Sequence, residues 1–202
     1  MFVPRHPVVE NQFCQFNETD GTAGVGGVLA YAGAVCYLVN DAANQDAIVD
    51  LYIDGVTYSA PENIPFGFLM QKVKSGYHQV HPAGFYMPGD LGSSDVIAQP
   101  KYNASGQISG TKYAPVGVAH LGIWDTVHYA VETKGTDAMS PGDPLYPDDT
   151  TAWYGKVSNS TANLPTGVSA SVARVVKGAS AAQVEATMDN TTLYPIRIKL
   201  LV

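Results

Sequence analysis

The side chains with the widest chemical reach in this 202-residue chain are five histidines, two cysteines and eighteen carboxylates. His78 and His81 stand three apart in Tyr77-His78-Gln79-Val80-His81-Pro82, and His120 and His128 lie in the next strand-like region. A zinc site takes three or four His, Cys or carboxylate ligands at short local spacings. On a strand, His78 and His81 point to opposite faces. Pro82 argues against a helix that would gather them. No second pair repeats the spacing, so these read as loop and hydrogen-bonded histidines, and no metal is expected.

The acidic residues Asp90, Asp95, Asp125, Asp137, Asp143, Asp148 and Asp149 sit mostly in turn contexts. Asp beside Gly or Pro usually serves backbone hydrogen bonding. A glycosidase needs two carboxylates facing each other across a cleft. Asp143, Asp148 and Asp149 have the oxygens that Ca²⁺ takes, but no EF-hand pattern surrounds them. The chain has no Gly-x-Ser-x-Gly elbow and no Walker-type phosphate loop. Gly24-x-Gly26-Gly27 lacks the further glycine and the helix of a dinucleotide site. Cys14 and Cys36 read as two free buried thiols, with one disulfide the alternative. Cys36, in an apolar run, is expected to be inert. Asn103 and Asn190 head glycosylation sequons, which matter only in a secreted chain. No catalytic residue, metal or cofactor is expected.

The elements that would position these residues read as strands and turns. Charged residues are only 14%, against a usual quarter or so. Gly (20), Pro (13) and Tyr (12) are plentiful, a mixture that favours strands and turns over helices. Val49 to Ile53 alternates, Asp54-Gly55 turns, and Val56-Thr57-Tyr58 returns as a hairpin. Ile196-Arg197-Ile198-Lys199-Leu200 alternates as a strand with one wet face. Ser180 to Met188 is the one helix-compatible stretch. The fold class expected is all-β: compact barrel-like or sandwich-like modules of short strands.

Residues 22–39 carry no charge and approach the length of a bilayer span. Gly24, Gly26, Gly27 and Gly33 interrupt them, and the flanks Glu18, Asp20 and Asp41 are acidic. Two glycine-broken buried strands are expected there, and no membrane contact. The net charge is −7, and Lys and Arg read as few and scattered, so no nucleic-acid partner is expected.

Three segments share an apolar-Pro-x-Gly-apolar pattern fifty residues apart: Ile64 to Phe68, Ala114 to Val118 and Leu164 to Val168. Met87-Pro88-Gly89-Asp90 and Ser140-Pro141-Gly142-Asp143 form a second pair. Pro presets the first corner of a turn and Gly supplies positive φ at the next. Either the chain repeats a turn-strand unit, or turns coincide in an all-β protein.

Residues 1–21 differ from the rest of the chain. Pro4 and Pro7 keep them extended. Phe2, Val3, Phe13 and Phe16 lack clear alternation and are the candidate partner-contact residues of an arm laid on a neighbour. A first edge strand of the same domain is the alternative.

In the last third, Pro141-Gly142-Asp143-Pro144-Leu145-Tyr146, Gly155-Lys156-Val157, Gly167-Val168, Val172 to Ser180 and Ile196 to Leu201 come one after another in order. This order resembles the small β-rich decoration, or cement, proteins of tailed-phage heads. The resemblance covers residues 138–202 and touches the middle only through the partial repeat. It implies a C-terminal barrel-like decoration module at 138–202, after an arm at 1–21 and a β-rich region at 22–137. It also implies a non-enzymatic virion protein, assembled in the host cytoplasm, on the outer surface of the capsid. Its partners would be the major capsid protein lattice and further copies of itself, as a dimer or trimer at a local symmetry axis. No catalytic residue carries over.

Two other readings compete. A receptor- or carbohydrate-binding fibre module would use Trp124, Tyr129, Trp153 and Tyr154 as stacking platforms. A hydrolase would use paired carboxylates.

Overall fold

The computed structural model describes residues 2–5, 10–16, 28–38, 48–51, 64–74, 96–97, 100–102, 105, 108–111, 114–148, 155–165 and 167–202. The first strands are β1 (Phe2–Pro4), β2 (Glu10–Phe16), β3 (Val28–Ala30), β4 (Val35–Leu38), β5 (Ile48–Asp50) and β6 (Pro65–Leu69). Next come β7 (Val73–Lys74), β8 (Val96–Ile97), β9 (Pro100–Tyr102), β10 (Ile108–Thr111), β11 (Ala114–Leu121), β12 (Ile123–Thr126) and β13 (Tyr129–Ala130). The chain continues through β14 (Pro144–Pro147), β15 (Val157–Ser158), β16 (Ala173–Lys177), helix α1 (Ala181–Met188) and β17 (Ile196–Leu200). The fold is mostly β, as the turn and strand composition predicts.

Two sheets carry the structure. A closed barrel runs β11-β2-β5-β4-β6, and a seven-stranded sheet runs β1-β12-β17-β16-β14-β15-β13. β9 with β10, and β3 with β7 and β8, form smaller sheets. β11 ends at Leu121 and β12 begins at Ile123, so one chain segment passes from barrel to sheet. The joint is Gly122 at φ +117, a region closed to most side chains. Its carbonyl accepts the Leu200 N–H at 3.1 Å, tying the joint to the end of β17.

Strand alternation explains how barrel and sheet share a core. In β4, Cys36 faces the barrel interior while Val35 and Tyr37 face the sheet. In β6 and β11, Leu69, Val116 and Val118 point inward, and Phe68 and Ala119 point to the sheet. The sheet answers with Phe2, Trp124, Leu145, Ile196, Ile198 and Leu200. Helix α1 adds Val184 and Met188 to the same cluster.

Phe2 and Phe16 are both buried within their own chain, in contrast to the arm expectation. Phe2 stacks on Trp124 with ring centroids 4.4 Å apart and planes 7° apart. β1 pairs with β12, and β2 pairs with β11 along its whole length. Val3 is half-buried opposite Asp125, and Phe13 pairs through its backbone with Gly117. The segment is thus a sheet edge and a barrel stave, the alternative the sequence left open. Its lack of alternation arises because two short strands enter two different sheets. The division at 137/138 also falls inside the seven-stranded sheet, because β1, β12 and β13 complete it beside β14 to β17. The hydrophobic face of β17 needs Trp124 across it, and the backbone edge of β17 needs β12.

The uncharged stretch 22–39 holds β3 and β4, joined by a turn in which Ala34 N–H donates to Tyr31 O at 3.1 Å. Two short strands are what its glycines predict, with Ala30, Val35, Cys36 and Tyr37 buried and Leu38 exposed. No helix among the described residues is long and apolar enough to cross a membrane.

The fifty-residue pattern divides. Its first two copies are strands β6 and β11, which pair with each other. A Cβ on Gly67 would come within 2.5 Å of Val118 Cγ1 and 2.8 Å of the Ala119 carbonyl. Gly67 is therefore there for close strand approach rather than for a turn. Only the third copy turns, with Val168 N–H donating to Pro165 O at 3.0 Å. The Ser140-Pro141-Gly142-Asp143 segment is a true turn, closed by Asp143 N–H to Ser140 O at 3.1 Å. The turn and return strand expected at 54–58 and the turn at Pro88-Gly89-Asp90 lie outside the described residues.

Candidate functional site

Each chemistry-bearing side chain begins from the element that holds it. Asp125 sits on β12 directly across from Arg197 of β17 and Val3 of β1. Arg197 Nε donates to its Oδ1 at 2.8 Å, and Arg5 Nε donates to its Oδ2 at 2.7 Å. Burial alone would push this carboxyl up. The hydrogen bonds from Arg197 and Arg5, with their charges, outweigh burial and hold it below the ordinary carboxylate range. Asp125 is thus an ionised clasp that joins β12 to β17 and to Arg5, just past β1.

Two of the other acids, Asp143 and Asp137, serve turns, as their contexts predict. Asp143 Oδ2 accepts the Ser140 N–H at 2.8 Å, and Asp137 Oδ2 accepts the Thr133 N–H at 2.8 Å. Asp148 is buried near Lys156. Burial pushes the Lys156 ammonium down, and the Asp148 charge opposes that. His120 Nδ1 lies 2.8 Å from the Phe66 carbonyl, with its ring edge-on to Phe66. His128 is buried beside Tyr31. Among the described residues, no three His, Cys, Asp or Glu side chains gather as a metal-binding set. His78, His81, Asp90, Asp95, Asp149, Asn103, Trp153 and Tyr154 lie outside the described residues.

Cys14 and Cys36 are free thiols buried in the barrel. Burial pushes both above the ordinary thiol range, Cys36 strongly so. Trp124 and Tyr129, two of the four candidate sugar platforms, are fully buried. Trp124 Nε1 donates to the Leu121 carbonyl at 3.1 Å, and the Tyr129 hydroxyl donates to the Tyr194 carbonyl at 2.7 Å. Neither can stack on a ligand from solvent.

One assembly is invisible in the linear sequence. Lys and Arg read as scattered along the chain, yet Arg5, Arg174, Lys177, Arg197 and Lys199 gather on the outer face of one sheet. Alternation puts Arg197 and Lys199 on the side of β17 opposite its buried Ile196, Ile198 and Leu200. The ladder sets Lys199 across from Arg174 and Arg197 across from Lys177. The alternating terminal strand is legible in the sequence. Its pairing with β16, which doubles the charge, depends on a fold that linear spacing does not reveal. Comparison with protein-family models and with curated proteins gives no match for this chain.

Proposed function

We propose that the chain is a non-enzymatic virion structural protein that binds the outer surface of a phage head and bridges and stabilises its capsid subunits. The observation that carries this reading is the seven-stranded sheet. The motif segments behind the resemblance fall on β14, β15, β16 and β17 or lead into them, side by side in that one sheet. Of these, β16 and β17 pack a shared core on one side and present an open face on the other. Asp125, Asp137 and Asp143 are committed to structural contacts, which fits a protein that works through its surface. Many modest contacts on a repeating lattice sum to firm attachment.

Immuno-electron microscopy tests the reading, with an antibody to the purified chain applied to particles from its native source. Regularly spaced label on the head surface is expected. Particles without label, with the chain recovered only in the free fraction, would overturn it.

A further inference from the structure

We propose that the solvent face of β1, β12, β17 and β16 is a docking surface for an acidic protein surface. The proposal rests on the reading of the chain as a subunit-binding protein and names the side it uses. Five of the eleven basic residues of an otherwise acidic chain lie on or beside these four strands. Asp125 is the one carboxylate in the strands themselves, and Arg5 and Arg197 already enclose it. Arg174, Lys177 and Lys199 are exposed. Arg174 donates to the Gly142 carbonyl at 3.1 Å, and among the described residues Lys177 and Lys199 make no ion pair.

The pairing works against stability. Arg174 stands directly opposite Lys199, and Lys177 opposite Arg197, in an antiparallel ladder. Like charges at such positions are destabilising. A carboxylate-bearing partner would turn both repulsions into attraction, and arginine forks fit carboxylates in bidentate fashion. Two exposed apolar residues stand among the cations. Leu201 (47% exposed) follows Arg197 and Lys199 in the alternation, and Val176 (44% exposed) is the bulge residue between Val175 and Lys177. A duplex phosphate backbone offers nothing to cover them, whereas protein interfaces mix arginine with apolar contacts. An acidic protein surface therefore fits better than a nucleic acid.

The test uses the full chain and fluorescein-labelled poly-L-glutamate, read by fluorescence anisotropy across a salt series. Wild type is expected to bind, more weakly as salt rises. The triple variant Arg174→Gln, Lys177→Gln, Lys199→Gln is expected to lose roughly tenfold or more in affinity. A control with the same net charge, Thr161→Glu, Ser169→Glu, Ala182→Glu, is expected to stay within about twofold, because its exposed charges lie outside these four strands. Removing the like-charge pairs should leave the melting temperature of the triple variant unchanged or higher, so lost binding cannot be lost folding. Equal loss in both variants, no binding by wild type, or tighter binding to duplex DNA or phosphatidylserine vesicles overturns the proposal. Particle labelling separates the two readings. Wild type and the triple variant labelling heads equally removes this face but keeps the function. Face-dependent poly-L-glutamate binding without particle labelling does the reverse.

Discussion

Asp125 holds two guanidinium groups that lie far apart in the chain, so its charge fastens the fold. Asp125→Asn removes the acceptor charge and leaves Arg5 and Arg197 facing each other. The expected loss is about 1.5 kcal/mol, the low end for charge-assisted hydrogen bonds, because both arginines are partly exposed and screened. The pH dependence comes from the lowered carboxyl pKa. The unfolded carboxyl titrates near 4, so the stabilisation is complete above about pH 4 to 5. It fades as pH falls through the depressed folded pKa. Urea melts of wild type and Asp125→Asn should therefore differ at pH 7 and converge at low pH; a constant gap would contradict the clasp. Asn190 offers a second residue-scale test. It stands at φ +55 just past α1, where its N–H donates to Thr187 O and the Thr191 N–H donates to Ala186 O. That is the hydrogen-bond pattern of a Schellman motif. Asn190→Ala should lower stability by about 1 kcal/mol, and Asn190→Gly should not lower it.

At the scale of the element, β1 and β2 decide what truncation does. Phe2 is sandwiched on Trp124 and Phe68, so Phe2→Ala should cost about 3 kcal/mol. Deleting residues 1–16 removes a barrel stave as well, and a cooperative thermal melt by circular dichroism should vanish. Retained folding would restore the arm reading. Gly67→Ala should destabilise by about 2 kcal/mol by forcing β6 away from β11. What the sequence reveals at this scale depends on locality. β17 is visible because Ile196, Ile198 and Leu200 share one face. Helix α1 falls within Ser180 to Met188, the one helix-compatible stretch, and the Ser180 N–H donates to Gln183 Oε1 at 3.0 Å. The Pro-x-Gly copies mislead because one spelling serves two purposes. At Pro165 it turns the chain, and at Pro65 and Pro115 it opens strands that must approach closely.

For the whole molecule, Val35, Tyr37, Phe68 and Ala119 of the barrel share one cluster with the sheet residues Phe2, Trp124 and Ile198. Barrel and sheet should therefore melt together. Differential scanning calorimetry should give a single transition whose calorimetric and van't Hoff enthalpies agree. Two separable transitions would mean the shared cluster does not couple them. Long-range assembly is the part least legible in the sequence. The barrel interleaves strands from residues 10–16, 35–38, 48–50, 65–69 and 114–121, and the basic face joins Arg5 to Lys199. No local pattern encodes such pairings.

The order of the seven-stranded sheet also has a consequence in time. Phe2–Pro4 can pair only with Ile123–Thr126, whose other edge waits for Ile196–Leu200. During synthesis, the earliest of these strands emerges from the ribosome long before its neighbours exist. Its stacking residue Phe2 stays uncovered until Phe68 and Trp124 have been translated. Closure of this sheet is then a late event, governed by loop-closure entropy rather than by local propensity. In that interval the nascent chain depends on dilution or chaperones to keep its open edges apart.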